Sequence, residues 1–504
     1  MVEDEVIEDV TVVGGGDAGL LAALALKKVN PGVRVAVVDD FEDDLPRVGK
    51  STYSVMLEVL HNTLEIPRER FLEEVRPVFK GAVHFRDWGD APEFFFPFDL
   101  QVKFPAVDDP DAADTYARLY EAVVDGEQFR TVGQELAARD RTAYRYDPRQ
   151  DGYDDVAYHL NTDRYNAFLR TLCRERGIAL VDDRIVEVET EGARIETVRG
   201  REQAYDADLY VDATGFARVL KGEQESDFLE FDLPVNAAFH AQVERDLDDV
   251  HSATVVKGGD YGWFWQIDTY DCRDRGYVFG ADYVDYDDAL DEFLDEVAGD
   301  VDRAAVDTYR WNPGYHEEAW EANCVAIGNA QGFGEPLQST GLTANAQCAV
   351  NLANLLAAHA QVNDAPLREA YNAWVANAWE SIADFVTVHY LYAGGDTEFW
   401  RDAQRLERSA RVERIVEQFD ETGFDTRVEP SSTAEGVERP VIFRPFNFYY
   451  VMRTLGETSE FYESHDVDPS DDVVESLERE FATVEDRVDG FVDHAELYRG
   501  VLEL

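Results

Sequence analysis

Four glycines and an aspartate near the N-terminus have the spacing of a dinucleotide-binding site. A β-branched strand at 10–13 precedes the glycines, an apolar helix at 20–28 follows them, and a second strand at 34–38 ends at Asp39. Such glycines let the backbone approach a pyrophosphate, and the aspartate accepts from a ribose hydroxyl. This pattern alone leaves open FAD, NAD or an unliganded turn. The motif residues are Gly14, Gly15, Gly16, Ala18 and Gly19.

A lysine and two tryptophans form a second group of chemically notable residues. Lys80 lies in a period-two pattern over 78–85, which predicts a strand with Lys80 on the face opposite Phe79 and Phe85. The chain has seven lysines and thirty-nine arginines, so a lysine in mid-strand is unusual, although a water-facing strand lysine is the plain alternative. Trp263 and Trp265 are two apart on a strand and share one face, as core residues or as a wall against a flat ligand.

Two further glycine turns and one loop belong to the same pattern. Gly215 follows the strand at 209–212, and Gly328 with Asn329 follows the strand at 323–327. The loop from Pro336 opens a long helix through 358, with Ser339 or Thr340 as the expected cap and free amides for an anion beside it.

Lys50 precedes Ser51 in a pattern that resembles the end of a phosphate loop but lacks the upstream glycines. We consider a lysine at a solvated helix start and a lysine beside the cofactor as equal alternatives.

Composition excludes several classes of partner. The 504 residues include 105 acidic and 46 basic side chains, a formal net charge of −59, which would repel nucleic acid and anionic membranes. A hydrophobic content of 45% predicts a packed protein, so we interpret the acidity as adaptation to strong salt in a halophilic, cytoplasmic protein. We expect no secretory signal, no membrane-spanning helix, and no metal or disulfide framework from four cysteines without C-x-x-C spacing.

The three turns resemble those of FAD-dependent single-component monooxygenases, and further motifs narrow the resemblance to flavin-dependent halogenases, the tryptophan-halogenase family. Trp263 to Ile267 is similar to the family's Trp-x-Trp-x-Ile-Pro signature, with Asp268 in place of proline. Lys80 precedes a Phe-Arg-Asp-Trp segment, as the catalytic lysine of the family precedes Phe-Glu-Asn-Trp. Two further matching blocks are Glu335-Pro336-Leu337-Gln338-Ser339-Thr340-Gly341-Leu342 and the stretch from Asp384 to Arg401.

The resemblance implies an α/β fold. Its FAD-binding, Rossmann-like domain of the flavin-monooxygenase type spans 1–345, with inserted substrate-side segments, partly β-sheet, at about 78–130 and 235–310. A mainly helical substrate-side region spans 346–504.

The family's chemistry follows from the same resemblance. A separate flavin reductase supplies FADH2, which with oxygen and chloride or bromide gives hypohalous acid. Lys80 then holds the hypohalous acid, by hydrogen bond or as a haloamine, beside a small electron-rich aromatic substrate. Burial suits this role because it lowers the pKa of an amine.

Further roles are carried over residue by residue. Gln338 and Ser339 complete the catalytic set, the halide lies at Thr340 and Gly341, and the tryptophans separate the flavin and substrate chambers. The residues expected to bind the cofactor are Gly14, Gly15, Gly16, Ala18, Gly19, Asp39, Lys50, Gly215, Gly328, Asn329, Pro336, Gly341 and Leu342.

Three departures affect what the resemblance implies. Gln338 replaces a glutamate and cannot act as a base, which favours activated phenolic or pyrrolic substrates over free tryptophan. Lys50 in place of glutamate and Asp268 in place of proline leave altered or lost halogenation open. An FAD monooxygenase or reductase without halogenation is the alternative enzyme, and a non-enzymatic flavin-binding protein is a third interpretation. A homodimer is left open.

Overall fold

In a computed structural model, the chain splits into two compact units, each assembled from three segments. The first unit comprises 1–76, 160–231 and 311–380, and the second comprises 77–159, 232–310 and 381–504. The predicted boundary at 345 and the functions of the predicted domains stay predictions, and residues 100–129 of the predicted insert lie outside the described residues. The structure describes residues 5–41, 48–88, 93–99, 130–144, 155–224, 226–297, 301–423, 443–457, 459–460 and 471–502.

The first unit is organised around a six-stranded sheet that is parallel except for one edge pair. The strand Asp9–Val13 lies between Arg34–Asp39 and Leu209–Asp212, and its apolar residues are buried. Continuous apolar runs are typical of parallel strands covered on both faces. In sheet order the strands are Trp320–Glu321, Cys324–Ala326, Leu209–Asp212, Asp9–Val13, Arg34–Asp39 and Ala179–Asp182.

The helix Asp17–Val29 follows the first strand and is buried along 18–26. Its alanine- and leucine-rich sequence is apolar all round, and it packs against Thr162–Glu175 and Thr340–Ala358. The other elements of this unit are Glu5–Val6, Lys50–Ser51, Val55–Leu57, Glu58–Thr63, Arg68–Glu74, Ile185–Glu191, Arg194–Gly200, Ala204–Tyr205, Gly215–Ala217, Lys221–Glu223, Phe228–Glu230, Gly314–His316, Gly328–Ala330, Gly332–Phe333, Leu337–Ser339, Val362–Asn363 and most of Ala365–Leu391.

The second unit contains a seven-stranded sheet, which we call the tryptophan sheet. One face is covered by the helix Tyr286–Glu296, whose Phe293 is buried against Phe239 and Tyr277. Trp263 and Trp265 point to the opposite face because side chains alternate along a strand. In sheet order the strands are Asp307–Arg310, Ala237–Val243, Arg273–Phe279, Gly262–Asp268, Ala253–Gly258, Ala82–Arg86 and Phe94–Pro97.

The predicted single strand at 78–85 is wrong, because the chain changes sheets at Gly81. Val78–Lys80 pairs with residues 157–159, whereas Ala82–Arg86 belongs to the tryptophan sheet. The Gly81 N–H donates to the Ser252 carbonyl at 2.9 Å, and a Cβ at Gly81 would lie 2.3 Å from the Gly133 carbonyl oxygen. The alternation in the sequence therefore spans two separate strands.

Helices complete the second unit. Within the region expected to be mainly helical lie the helices Glu398–Ala403 and Ala410–Thr422, and Ser409 caps the second by accepting from the Val412 N–H. No helix in the described ranges is both long and apolar enough to span a membrane. The remaining elements are Val132–Ala138, Ala157–Leu160, Arg303–Ala305, Pro445–Thr454, Asp471–Asp489 and His494–Leu502.

Candidate functional sites

The first glycine turn is closed by two contacts that exclude any side chain. Gly14 has φ +107°, and a Cβ there would lie 2.4 Å from the Ala213 carbonyl oxygen of the second glycine turn. A Cβ at Gly19 would lie 2.0 Å from the Gly14 carbonyl oxygen. Only glycine permits the first strand, the second turn and the first helix to approach so closely.

The start of the first helix is set up to receive an anion. Gly16 is the cap residue, and no described atom lies within 4 Å of the place where its Cβ would be. The Asp17 carboxylate accepts from the Ala18 N–H at 2.8 Å, and Lys50 Nζ lies 3.4 Å from the same carboxylate. Lys50 therefore lies at this helix start, where the helix dipole also favours negative charge.

Asp39 ends the second parallel strand beside the glycine turn. Its carboxylate accepts from the Gly15 and Asp40 N–H groups, while burial raises its pKa. A Cβ at Gly15 would lie 2.9 Å from Asp39 Oδ2. The carboxylate is thus placed next to the backbone of the motif, as the ribose-binding prediction requires.

The second and third glycine turns belong to the same unit. A Cβ at Gly328 would lie 2.9 Å from Ala18 Cβ, so the third turn contacts the first helix. No described atom lies within 4 Å of the Cβ positions of Gly215 and Gly341. The glycine turns leave room beside the backbone for a dinucleotide, and the residues present fit FAD on this ground.

The loop from Pro336 has an unusual backbone. Gln338 (φ 62°) and Ser339 (φ 59°) are both left-handed, and the following Thr340 is right-handed. Non-glycine residues in the left-handed region cost about 1–3 kcal/mol each, and such strain is concentrated at functional sites. A left-handed residue followed by a right-handed one turns successive N–H groups toward a common point, the geometry of an anion-binding nest.

Ser339, one of the two residues expected to cap the long helix, is the cap residue of Thr340–Ala358 by position. Its side chain makes no capping hydrogen bond. Its hydroxyl instead lies 2.9 Å from the Ser51 hydroxyl. The amides at this helix start are consequently not covered by the serine side chain. Gln338, Thr340 and Leu342 are buried around them.

Lys80 lies in the second unit and is completely buried. Its Nζ is 4.9 Å from the ring centre of Phe98. Burial lowers the pKa of Lys80 well below its ordinary value, because the low-dielectric surroundings disfavour the ammonium. The side chain therefore has the nucleophilic amine form available where an exposed lysine would be protonated.

The two tryptophans share one face, as their spacing predicts, with ring centres 6.3 Å apart. The indole N–H of Trp263 donates to the Tyr390 hydroxyl at 3.1 Å. Trp265 extends over Gly276 of the neighbouring strand, where a Cβ would lie 2.0 Å from its ring. The glycine at 276 therefore makes room for the Trp265 ring.

Asp268, which replaces the signature proline, is buried but fully compensated. Arg273 donates to both of its carboxylate oxygens, at 2.7 and 2.9 Å, and the His251 N–H donates to it at 2.8 Å. Its backbone carbonyl accepts from His159 Nδ1 at 3.0 Å. The substitution therefore brings its own counter-ion and leaves the strand intact up to residue 268.

His159 is a candidate that motif reasoning missed. It lies in the buried strand Ala157–Leu160. A histidine within an otherwise apolar strand was the available signal. The helix Thr162–Glu175 follows this strand, and Asn161 caps it by accepting from the Arg164 N–H.

The block from Asp384 to Arg401 packs onto the tryptophan sheet. The Trp88 indole N–H donates to the His389 carbonyl at 2.9 Å, and the Trp400 indole N–H donates to the Gly259 carbonyl at 2.9 Å. This block therefore supports the tryptophan face through Tyr390 and its neighbours. Within the described ranges, no group of three His, Cys, Asp or Glu residues has metal-site geometry.

Comparison with known proteins gives one consistent result. The family model described as "Tryptophan halogenase" matches residues 9–467. The tryptophan 6-halogenase SttH of Streptomyces toxytricini is 29% identical over 445 residues, which cover 81% of this chain and 83% of that protein. The tryptophan 7-halogenase RebH of Lentzea aerocolonigenes is 27% identical, covering 89% of this chain and 90% of that protein.

Solved structures agree with this result. The crystal structure of MibH, a lanthipeptide tryptophan 5-halogenase, superposes with a TM-score of 0.80 at 25% identity. The match covers 99% of this chain and 94% of that chain.

Proposed function

Because the chain belongs to the tryptophan-halogenase family, we propose that Lys80 transfers the halogen and that the glycine turns of the first unit hold FAD. The protein is a flavin-dependent halogenase that acts on an aromatic substrate. It uses FADH2 from a separate flavin reductase, together with a halide. The alternative of a monooxygenase or reductase finds no support among the relatives.

FAD would bind through three features of the first unit. The N-terminus of Asp17–Val29 would face the pyrophosphate, Asp39 would accept from the ribose, and Lys50 would add a positive charge. Ser339 and the residues after Pro336 would lie along the flavin. When bound and reduced, FAD would react with oxygen, and this reaction would supply the oxidising equivalent that converts halide to hypohalous acid.

We place the halide at the amides of Thr340 and Gly341. The left-handed to right-handed backbone at Ser339 and Thr340 forms a nest, and the space at the Gly341 Cβ position is open. A helix start adds a favourable dipole for an anion. Chloride and bromide both fit a site made of backbone N–H groups.

Burial of Lys80 is the observation that carries the proposal. A neutral amine can hold hypohalous acid by hydrogen bond, or attack its halogen so that an N–halogen bond forms and water leaves. An ammonium has no lone pair for this attack. The aromatic face of Trp263 and Trp265 in the same unit would exclude water from the reaction.

Gln338 directs the proposal toward activated substrates. A carboxamide cannot accept the proton that the aromatic ring loses. Phenols and pyrroles need less help than an indole ring because their heteroatoms stabilise the cationic intermediate. We therefore propose a phenolic or pyrrolic substrate. From the strongly acidic composition we also propose a cytoplasmic location.

The experiment that tests this proposal combines the protein, a flavin reductase, FAD, NADH and oxygen with a phenol, a pyrrole and tryptophan. Ionic strength is held constant with potassium sulfate so that chloride or bromide can be omitted. We expect halogenated phenol or pyrrole only when halide is present. Hydroxylated product without halide would contradict the proposal.

Gln338→Glu tests the substrate assignment. The new carboxylate should raise turnover of tryptophan by about tenfold or more, because a positioned base contributes factors of this size. Turnover of the phenol and the pyrrole should change less than turnover of tryptophan. If the preference for the phenol and the pyrrole over tryptophan is unchanged, Gln338 does not determine the choice of substrate.

A further inference from the structure

Both ring nitrogens of His159 have partners within the second unit. Nδ1 lies 3.0 Å from the Asp268 carbonyl oxygen, and Nε2 lies 2.8 Å from the Thr254 hydroxyl. The residue is completely buried. His159 therefore bridges the strand Ala157–Leu160 to two strands of the tryptophan sheet, Ala253–Gly258 and Gly262–Asp268.

These partners determine the tautomer. A carbonyl oxygen can only accept, so Nδ1 carries the proton. The Thr254 hydroxyl can donate or accept, and in the neutral imidazole Nε2 accepts from it. Burial, which lowers the pKa of His159, favours this neutral form.

The bridge lies next to Lys80. In the register of the short strand pair, Val78 is opposite His159 and Lys80 is opposite Ala157, so Lys80 and His159 are diagonal neighbours on one face. Thr254 shares the face of Trp265, because Val256 is opposite Trp265 and Thr254 is two residues earlier. The same imidazole therefore connects the strand of the lysine with the face of the tryptophans.

We propose that neutral His159 is a positioning residue for Lys80, joining the short strand of the lysine to Thr254 and Asp268 of the tryptophan sheet. The role rests on the proposed function of Lys80. Because the chain changes sheets at Gly81, Lys80 does not belong to the sheet that carries the tryptophans, and a contact between the two sheets is needed to fix its position.

Burial keeps the imidazole neutral. It is the main cause that lowers the pKa of His159, and the positive charge of Arg245 also lowers it. Only the Asp268 carbonyl, as a hydrogen-bond acceptor, opposes them. The Asp268 carboxylate is already bound by Arg273 and offers little compensation.

Two variants interrupt the bridge in different ways. Thr254→Val removes the hydroxyl with little change of volume, and His159→Asn keeps a donor but removes the Nε2 acceptor. Thr254→Ser is the matched control because it keeps the hydroxyl. Circular dichroism and thermal melting identify the variants that remain folded, and Thr254→Val is the milder change.

The decisive measurement is the titration of Lys80 by NMR of protein labelled with 15N-lysine. Seven lysines give few signals, and Lys80→Met identifies the relevant one. In Thr254→Val and His159→Asn, we expect the pKa of Lys80 to rise by at least about one unit as the amine regains water. In Thr254→Ser it should stay at the wild-type value.

Halogenation provides the second readout. We expect kcat to fall at least about tenfold in Thr254→Val, because small displacements of a reacting group are costly, while FAD affinity stays unchanged. If folded Thr254→Val has the wild-type Lys80 titration and the wild-type kcat, the inference is overturned. If the wild type does not halogenate, the proposed function fails, and the NMR titration still decides the positioning role.

Discussion

Two lysines are completely buried in the described part of the chain, and their surroundings are opposite. Lys221 in the first unit forms an ion pair with Glu321 at 2.9 Å and a hydrogen bond to Gln224 at 3.0 Å. Lys80 in the second unit lies 4.9 Å from the centre of the Phe98 ring, and burial lowers its pKa. Lys221 thus has a carboxylate partner, whereas burial lowers the pKa of Lys80.

This difference shows that burial alone does not identify a reactive lysine. Lys221 also donates its backbone N–H to the carboxylate of Asp212, the last residue of the strand Leu209–Asp212, so its contacts are those of a structural residue. For Lys80, desolvation is the resolved cause of the pKa shift. A buried amine that is easily neutralised is suited to nucleophilic chemistry, whereas a paired ammonium is not.

The largest expected effect is loss of halogenation in Lys80→Met. The thioether fills a similar volume but cannot hold or transfer a halogen, so we expect turnover to fall by at least about a thousandfold. Product is measured by mass spectrometry, and FAD binding by flavin fluorescence. FAD binding should be retained, and product formation at the wild-type rate would rule out the role of Lys80.

Lys221→Met should lower stability and leave halogenation largely intact, in contrast to Lys80→Met. Removing one partner of a buried pair leaves the Glu321 carboxylate uncompensated, and we expect a loss of about 3 kcal/mol in the free energy of unfolding. Urea denaturation in strong salt measures this loss. Halogenation by the folded fraction should persist.

Lys221→Met combined with Glu321→Met is the control for this assignment. Removing both partners should restore part of the lost stability, because no unpaired charge then remains buried. A double variant as unstable as Lys221→Met would show that packing, and not the ion pair, sets the loss.

The third and smallest effect is the pH dependence of stability. The unfolded chain binds a proton at Lys80 that the folded chain does not, in the window between the lowered pKa and the ordinary lysine value. Folding stability in this window must therefore rise with pH. As the pH increases through this window, the free energy of unfolding of the wild type should rise relative to that of Lys80→Met.

The same linkage governs activity. Halogenation should decline on the acid side, once the pH falls below the lowered pKa of Lys80 and the amine becomes protonated. A rate profile and urea titrations over the same pH range test both statements. A stability difference between wild type and Lys80→Met that does not change with pH would show that Lys80 is protonated in the folded protein as in the unfolded chain.

The cofactor turns were the most predictable part of the molecule. The strands predicted at 10–13 and 34–38 form as Asp9–Val13 and Arg34–Asp39, and the helix predicted at 20–28 begins three residues earlier, as Asp17–Val29. The side-chain periods also placed Trp263 and Trp265 on one face. Short-range patterns of this kind are set by backbone sterics and alternation.

Other features could not be predicted from patterns. The alternation over 78–85 ran across the break at Gly81, where the Gly133 backbone lies too close for any side chain. Neither the compensation of Asp268 by Arg273 nor the contact between His159 and Thr254 follows from residue spacing. These contacts depend on how distant strands are paired.

The sequence by itself determined the glycine turns, the tryptophan spacing and the presence of a lysine in a strand pattern, because these depend on residue types and local geometry. Only the tertiary structure decided that Lys221 pairs with a carboxylate and that burial lowers the pKa of Lys80. Lys221 meets Glu321 one hundred residues away, and His159 meets Thr254 across 95 residues. The protonation of a buried group depends on such long-range neighbours, since desolvation and Coulomb interactions act through space and not along the chain.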